Sequence, residues 1–320
     1  MNGFFVISLD FELYWGVSES KTIKSYFNNL KNTKDVVNKL LNIFLKNQIE
    51  ATWATVGFLF FNSVEKITIF KKRNSAKIPK YFRKNINNYD IIDSINQNDK
   101  DFYFANELIK KINDTDGQEI ATHTMSHFYS LERGVNIRDF ENEIKNAVKI
   151  ASKNGIEIKS IVFPRNQYND EILKSCKKFG INSFRGNENH ILYNPSANQN
   201  LFRRLLKYID SYINITCSKS YFIKKNNFLN IPASCFLRPY NKKLLLFEKI
   251  KISKILNEMT YAAKNNQVYH LWWHPHNFGN DLENNFKILE KIIRHYSFLN
   301  KMYGFKSINM KNLNECINKK

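Results

Sequence analysis

Cysteine, glycine, proline and acidic side chains are all scarce in this sequence, and each scarcity removes a class of protein. The 320 residues hold 4 cysteines, 10 glycines and 6 prolines. Cys176, Cys217, Cys235 and Cys316 show no CxxC spacing. That excludes a zinc knuckle and a dense disulfide framework, and leaves reduced, mostly buried thiols. So little glycine and proline excludes collagenous and low-complexity chains and leaves no linker at which to divide the molecule. No apolar run reaches the ~18 residues of a membrane-spanning helix. The N-terminal apolar run has no basic flank and stops at Asp10, too short for a signal peptide, so a cytoplasmic location is expected.

What is present is a core-former. Hydrophobic residues make up 43% and aromatics 14%, enough to bury a large interior. The 49 Lys and Arg against 29 Asp and Glu leave a formal charge of +20. The basic residues are spread along the chain amid heavy use of Asn, as a compositional bias would leave them. No specific nucleic-acid partner is expected, while peripheral contact with an anionic membrane is compatible with the charge.

Short β-like runs alternate with longer helical ones. Strands are expected over residues 4–10, 51–57, 119–123, 161–163 and 268–273, and helices over 35–45, 137–151, 170–179 and 282–299. Gly180 follows the third of these helices as a C-cap. Such alternation implies βα units and a mostly parallel sheet, an α/β architecture. Residues 61–101 are polar, basic and irregular and read as an insertion; residues 184–237 are ambiguous. One domain over residues 1–320 is expected.

Polar residues interrupt the apolar runs where parallel α/β proteins place their chemistry, at the carboxyl ends of strands. Asp10 and Glu12 follow the first strand, and alternation sets them on one face with Phe11 on the other. Two carboxylates sharing a site need a proton or a cation between them. His123 and His127, four residues apart, would stack if the segment were helical. With a carboxylate they form an N,N,O set suited to Zn²⁺ or another first-row divalent ion. Arg165 ends another strand and is placed to orient one carboxylate. The run from His270 to Asn277 packs three histidines at a strand end, and His274 is positioned to donate or accept a proton.

In these residues the sequence resembles the polysaccharide deacetylase superfamily (the NodB-homology domain, carbohydrate esterase family 4). The resemblance rests on Asp10-Phe11-Glu12, on His123-Thr124-Met125-Ser126-His127, on Arg165-Asn166-Gln167-Tyr168 and on Leu271-Trp272-Trp273-His274, in the family's order across residues 4 to about 280. It implies a distorted (β/α)7-type barrel that binds one divalent metal ion, zinc first. It further implies removal of an N-acetyl group from a sugar in a glycan or glycan precursor of surface polysaccharide synthesis. Residue by residue, Asp10 matches the general base and His123 and His127 the metal ligands. Arg165 matches the residue orienting the base, and His274 the general acid. Phe11 stands where the family has its metal-binding aspartate, so Glu12 is the expected replacement ligand. The histidine motif here is spaced H-x-x-x-H, and Asn166-Gln167 replaces a Pro-Pro pair. The aspartate that supports the acid has no motif match, with Asp210 a candidate. Tyr168, Trp272, Trp273 and His276 are expected to line the substrate site. The expected substrate is an N-acetylated sugar, sugar nucleotide or lipid-linked glycan. Two alternatives remain open: a related C–N hydrolase acting on a formyl or cyclic amide, as the His274-Pro275-His276 variant suggests, and a non-catalytic module binding an anionic glycan.

Overall fold

The computed structural model describes residues 2–188, 190–193, 201–213, 215–216 and 219–318. Its strands are β1 (Phe4–Phe11), β2 (Ala51–Thr55), β3 (Gln118–Thr122), β4 (Ser160–Ile161), β5 (Ser183–Phe184), β6 (Leu229–Asn230), β7 (Cys235–Phe236), β8 (Val268–Trp273) and β9 (Lys306–Ser307). The helices are α1 (Phe27–Lys31), α2 (Thr33–Lys46), α3 (Val64–Arg73), α4 (Asn106–Asn113), α5 (Ile137–Lys153), α6 (Asp170–Lys177), α7 (Leu201–Asp210), α8 (Leu245–Lys264), α9 (Leu282–Tyr303) and α10 (Met310–Asn318). All strand pairs are parallel, in the order β6-β5-β4-β3-β2-β1-β8-β7, with β9 beside β1.

The sheet curls into the distorted barrel expected from sequence, closed by one stretch of chain. The N–H groups of Ile231 and Ala233 donate to the carbonyls of Phe184 and Gly186; those of Ser234 and Leu237 donate to His270 and Trp272. Residues 229–237 thus bond to β5 with their first half and to β8 with their second. Pro232 has no N–H to lose and sits between the two donors to β5.

Alternation along β1 divides its side chains between two environments. Phe5, Ile7, Leu9 and Phe11 face outward into the apolar layer under the helices. Phe4 and Val6 face the barrel interior with Ala54, Val162, Leu229, Ile231 and Val268. Met310, Leu313 and Ile317 of α10 join this inner cluster and plug the end where the strands begin. The plug is fixed by hydrogen bonds from the N–H of Met310 to Thr52 Oγ1 (2.9 Å) and of Lys311 to Glu119 Oε2 (3.0 Å). The other end, where the strands finish, is left to polar residues.

The irregular segment 61–101 carries α3 and short 3-10 turns, and it braces the open end. Asn88 Nδ2 donates to the carbonyls of Trp15 (2.8 Å) and Ser126 (2.9 Å). Cys176, Cys235 and Cys316 are free thiols, the first two buried; Cys217 lies outside the described residues. Among the described residues no helix is long and apolar enough to cross a membrane.

Candidate active site

Strand β1 delivers Ser8 and Asp10 to the inner face, and the chain then turns so that Glu12 joins them. All three are buried. Gly16 makes room for this turn: a Cβ there would lie 1.9 Å from Glu12 Cδ. The partner of Asp10 is Arg185, at the end of β5. Its guanidinium donates from one nitrogen to Asp10 Oδ1 (2.6 Å) and Ser8 Oγ (3.0 Å), and from the other to Asp10 Oδ2 (2.8 Å). Burial alone would push the Asp10 carboxyl up, but Arg185, with His123 and His274, outweighs it and holds Asp10 below its ordinary range.

Arg165, expected in that role, is elsewhere. It pairs with Glu132 (3.0 Å) and Glu19, and its guanidinium lies 4.1 Å over the Tyr129 ring. Tyr129 in turn packs edge-on to His127, with centroids 5.2 Å apart. The residue therefore fixes the wall beside a histidine rather than orienting the carboxylate. Arg185 fell in the ambiguous stretch; the signal that marks it is an arginine directly after the strand residues Ser183-Phe184.

His123 and His127 do converge, but through a loop and not a helix. The segment after β3 has no helical turn, and Thr124 and His127 have φ of 63° and 62°, left-handed values that let four residues reverse direction. The loop is clamped from two sides. Gly57 and Phe58 N–H donate to the carbonyls of Thr124 and Met125, and a Cβ on Gly57 would come within 2.9 Å of Met125 Cα. Buried Glu143 accepts from Ser126 N–H (2.8 Å), Ser126 Oγ (2.9 Å) and Tyr89 Oη (2.8 Å). Burial pushes Glu143 up to about 7 despite these bonds.

Glu12 Oε2 lies 3.3 Å from His123 Nε2 and 3.0 Å from His127 Nε2. His123 Nδ1 is 2.8 Å from the Val162 carbonyl, which can only accept, so Nδ1 carries the proton and Nε2 turns its lone pair toward Glu12. The three donor atoms lie within 4.8 Å of one another, all on buried side chains. Two imidazoles and a carboxylate with converging lone pairs suit a divalent first-row cation. The residues present fit the ion that the sequence implied.

β8 supplies the opposite side. His270, inward-facing and buried, bonds Ser8 Oγ through Nε2 (2.8 Å) and the Ile231 carbonyl through Nδ1 (3.1 Å). Burial, and then Arg185, push it down to about 3, so it is a neutral spacer. His274 is partly exposed, with Nε2 3.4 Å from Glu12 Oε1 and 3.8 Å from Asp10 Oδ2. Its Nδ1 is 3.4 Å from Asn277 Nδ2, and Tyr26 Oη donates to Asn277 Oδ1 (2.6 Å). Tyr26 thereby orients the amide so that its nitrogen faces His274 Nδ1. Neither Tyr26 nor Asn277 was visible as a site residue from sequence.

The four expected substrate contacts are placed differently from one another. Trp272 is partly exposed beside the site, stacked under Arg185 at 4.1 Å. Trp273, the next residue along the strand, points outward and is fully buried, stacked on Phe278 at 5.7 Å, so it is core. His276 is buried behind Glu12, 4.0 Å from Oε1, and burial pushes it down to about 3; it supports the carboxylate and has no face for a sugar. Tyr168 is half-buried between Phe163 and Phe184, and its hydroxyl accepts from Asn187 N–H (3.2 Å). Asp210 does not approach His274's partners; it is buried in α7 with Lys219 and Tyr193. Beside the site opens a cavity of about 210 Å³ whose lining includes Asn166, Lys207, Lys219, Arg238 and Trp272.

The family model described as Polysaccharide deacetylase matches residues 16–184, just over half of the chain. The match takes in His123 and His127; Asp10, Glu12 and His274 lie outside it. No curated protein matches the sequence. Among solved structures, a protein assigned as a polysaccharide deacetylase from Mycobacterium smegmatis superposes with a TM-score of 0.61 at 13% identity, over 99% of this chain and 91% of that one. A GH57 branching enzyme from Thermococcus kodakaraensis superposes with a TM-score of 0.58 at 14% identity, over 98% and 71%. The α-amylase AmyC from Thermotoga maritima gives 0.53 at 12% identity, over 98% and 75%. At these identities the likeness is one of fold.

Proposed function

We propose that this chain, which belongs to the polysaccharide deacetylase family, hydrolyses the N-acetyl amide of a sugar in a glycan or glycan precursor of surface polysaccharide synthesis. The observation that carries the reading is the buried Glu12–His123–His127 set standing against a carboxylate, Asp10, that Arg185 holds ionised. Those three residues would hold a divalent ion, zinc first, which would supply Lewis acidity at the site.

The chain's own groups then divide the proton work. Asp10, ionised and fixed by two hydrogen bonds, accepts a proton from the attacking water. His274 Nε2 faces the same space and delivers a proton to the departing nitrogen, without which an amide nitrogen leaves poorly. Asn277, 3.4 Å from Nδ1, steadies the ring from its other side, and the proton is given up from the imidazolium form, leaving neutral imidazole. Trp272 offers an aromatic face at the rim, the surface on which a sugar ring packs.

Elemental analysis of the purified protein, followed by an acetate-release screen over N-acetylated sugars, tests the reading. The expected result is a divalent metal bound in stoichiometric amount, lost in His123→Ala and retained in Asp10→Asn, with acetate release abolished in both. Formate or a ring-opened acid in place of acetate, or near-normal turnover in Asp10→Asn, overturns it.

A further inference from the structure

Helix α7 is built inside out. A surface helix ordinarily turns its apolar stripe to the core and its charges to water. In Leu201–Asp210 four apolar side chains face outward, with Leu201 81% and Phe202 68% exposed and Leu205 and Tyr208 exposed beside them, while Leu206 and Ile209 are half-buried. The opposite stripe faces inward: Asp210 is buried, and Lys207 lines the cavity next to the site. The first turns of α8 repeat the pattern. Leu245, Leu246 (75%), Phe247 and Ile250 are exposed, while Glu248, Lys251 and Lys254 are buried.

The inward charges lock this orientation. The Asp210 carboxylate accepts from Lys219 Nζ, Tyr193 Oη (2.7 Å) and Thr216 Oγ1 (2.8 Å), and Lys254 Nζ donates to its backbone carbonyl. Glu248 pairs with Lys251 (2.6 Å), whose ammonium also donates to the Arg238 carbonyl (2.9 Å). Rotating α7 to hide its leucines would carry Asp210 out to solvent and take it from buried Lys219. Tyr212, buried just after α7, has its ring 6.2 Å from that of Phe247 at the start of α8, and Arg238 lies 4.6 Å over Tyr208. Each helix thus carries an exposed apolar face of the kind that soluble proteins keep for a partner.

Charge identifies the partner. Across residues 201–213 and 241–250 the exposed charged side chains are Arg204, Lys242, Lys243 and Lys249, all basic; the two acids, Asp210 and Glu248, are buried. Apolar side chains fringed by lysine and arginine match the acyl–headgroup boundary of an anionic bilayer. We infer that the outer face of α7 and the start of α8 is a docking surface for an anionic membrane. On the inward side of α7 lies the basic cavity, with Lys207, Arg238, Lys254 and Trp272 in its lining. Resting on the deacetylase reading for this last step alone, the substrate class is a sugar joined to lipid through phosphate, its anionic link in the cavity and its acetamido group at Asp10.

Cosedimentation of the full chain with vesicles of phosphatidylcholine and phosphatidylglycerol in equal parts tests the docking face without reference to activity. The chain is expected to bind these vesicles more strongly than pure phosphatidylcholine, with salt weakening but not abolishing the association. The double variant Phe202→Ser, Leu246→Ser, altered only at exposed positions, is expected to lose about tenfold or more in partitioning while keeping its thermal midpoint. Absence of vesicle binding at low salt, or binding undiminished in the variant, overturns the inference. So does a dimer that the variant dissolves, since a second copy would then own the face. Vesicle binding without acetate release from any sugar would instead sink the enzymatic reading and leave the docking face standing.

Discussion

Replacing Arg185 with methionine removes the charge that Asp10 relies on while keeping much of the side chain's volume. In the native protein both partners are buried and joined by two bonds of 2.6 and 2.8 Å. Removing one member of such a pair leaves the other uncompensated, at a cost of roughly 3–5 kcal/mol. At about 2 °C per kcal/mol for a chain of this size, the melting midpoint should fall by on the order of 6–10 °C. The chemistry should move in a direction that instability alone does not produce. The native Asp10 pKa is depressed, so its ionised form contributes stability above the unfolded value that is lost as pH falls through the folded one. Without Arg185, burial dominates and the Asp10 pKa rises, so the acidic limb of the kcat/KM profile should shift upward. Thermal melts and a pH–rate series on Arg185→Met measure both effects. Adding Asp10→Asn should restore part of the stability, because neither charge is then left alone. A variant whose melting midpoint and acidic limb both match the native protein would refute the assignment of Arg185 to Asp10. The same would follow if Arg165→Met moved the limb and Arg185→Met did not.

Two further predictions concern residues around the site. Glu143 is raised from its ordinary 4.5 to about 7, so the folded state holds a proton there that the unfolded state releases. Stability from this residue is full at low pH and is lost as pH rises toward 7, by about 3 kcal/mol. In Glu143→Gln, urea midpoints between about pH 5 and about pH 8 should lose this slope; an unchanged slope would assign it elsewhere. The adjacent tryptophans should separate cleanly. Trp273→Ala should cost roughly 3–5 kcal/mol of stability as a buried aromatic, whereas Trp272→Ala should leave the melt nearly unchanged and raise KM; a reversed pattern in melts and kinetics would refute the placement of the two rings.

Sequence carried the long, periodic elements and the polar residues that end them. β8 spans residues 268–273 as expected, and α5 and α9 start where their stripes begin. It carried β4 only approximately and did not carry β5 to β7, because two-residue strands are too short to show alternation and exist through their neighbours in the barrel. That is why Arg165 and Arg185 exchanged roles: both follow a strand, and only the curl of the sheet decides which reaches β1. The histidine pair was legible, but its geometry was not. A helix and a left-handed loop both join residues four apart, and the choice depends on Glu143 and Gly57, far away in sequence. The periodicity of α7 shows that it has an apolar face, but says nothing of which way that face looks. That is fixed by Lys219 and Lys254, charges from other elements.

The stretch that closes the barrel has a consequence for when this protein becomes competent. Asp10 and Arg185 are separated by 175 positions in sequence, and residues 229–237 tie β5, which carries Arg185, to β8, which carries His270 and leads into His274. Until that stretch engages both neighbours, β5 is joined to β1 only through β4, β3 and β2, and Asp10 lacks its cation. Joining such distant segments has a large loop-closure cost and is expected late in folding. A half-assembled chain therefore presents His123 and His127 without the Asp10–Arg185 pair beside them. That pair forms with the final zipping of the wall.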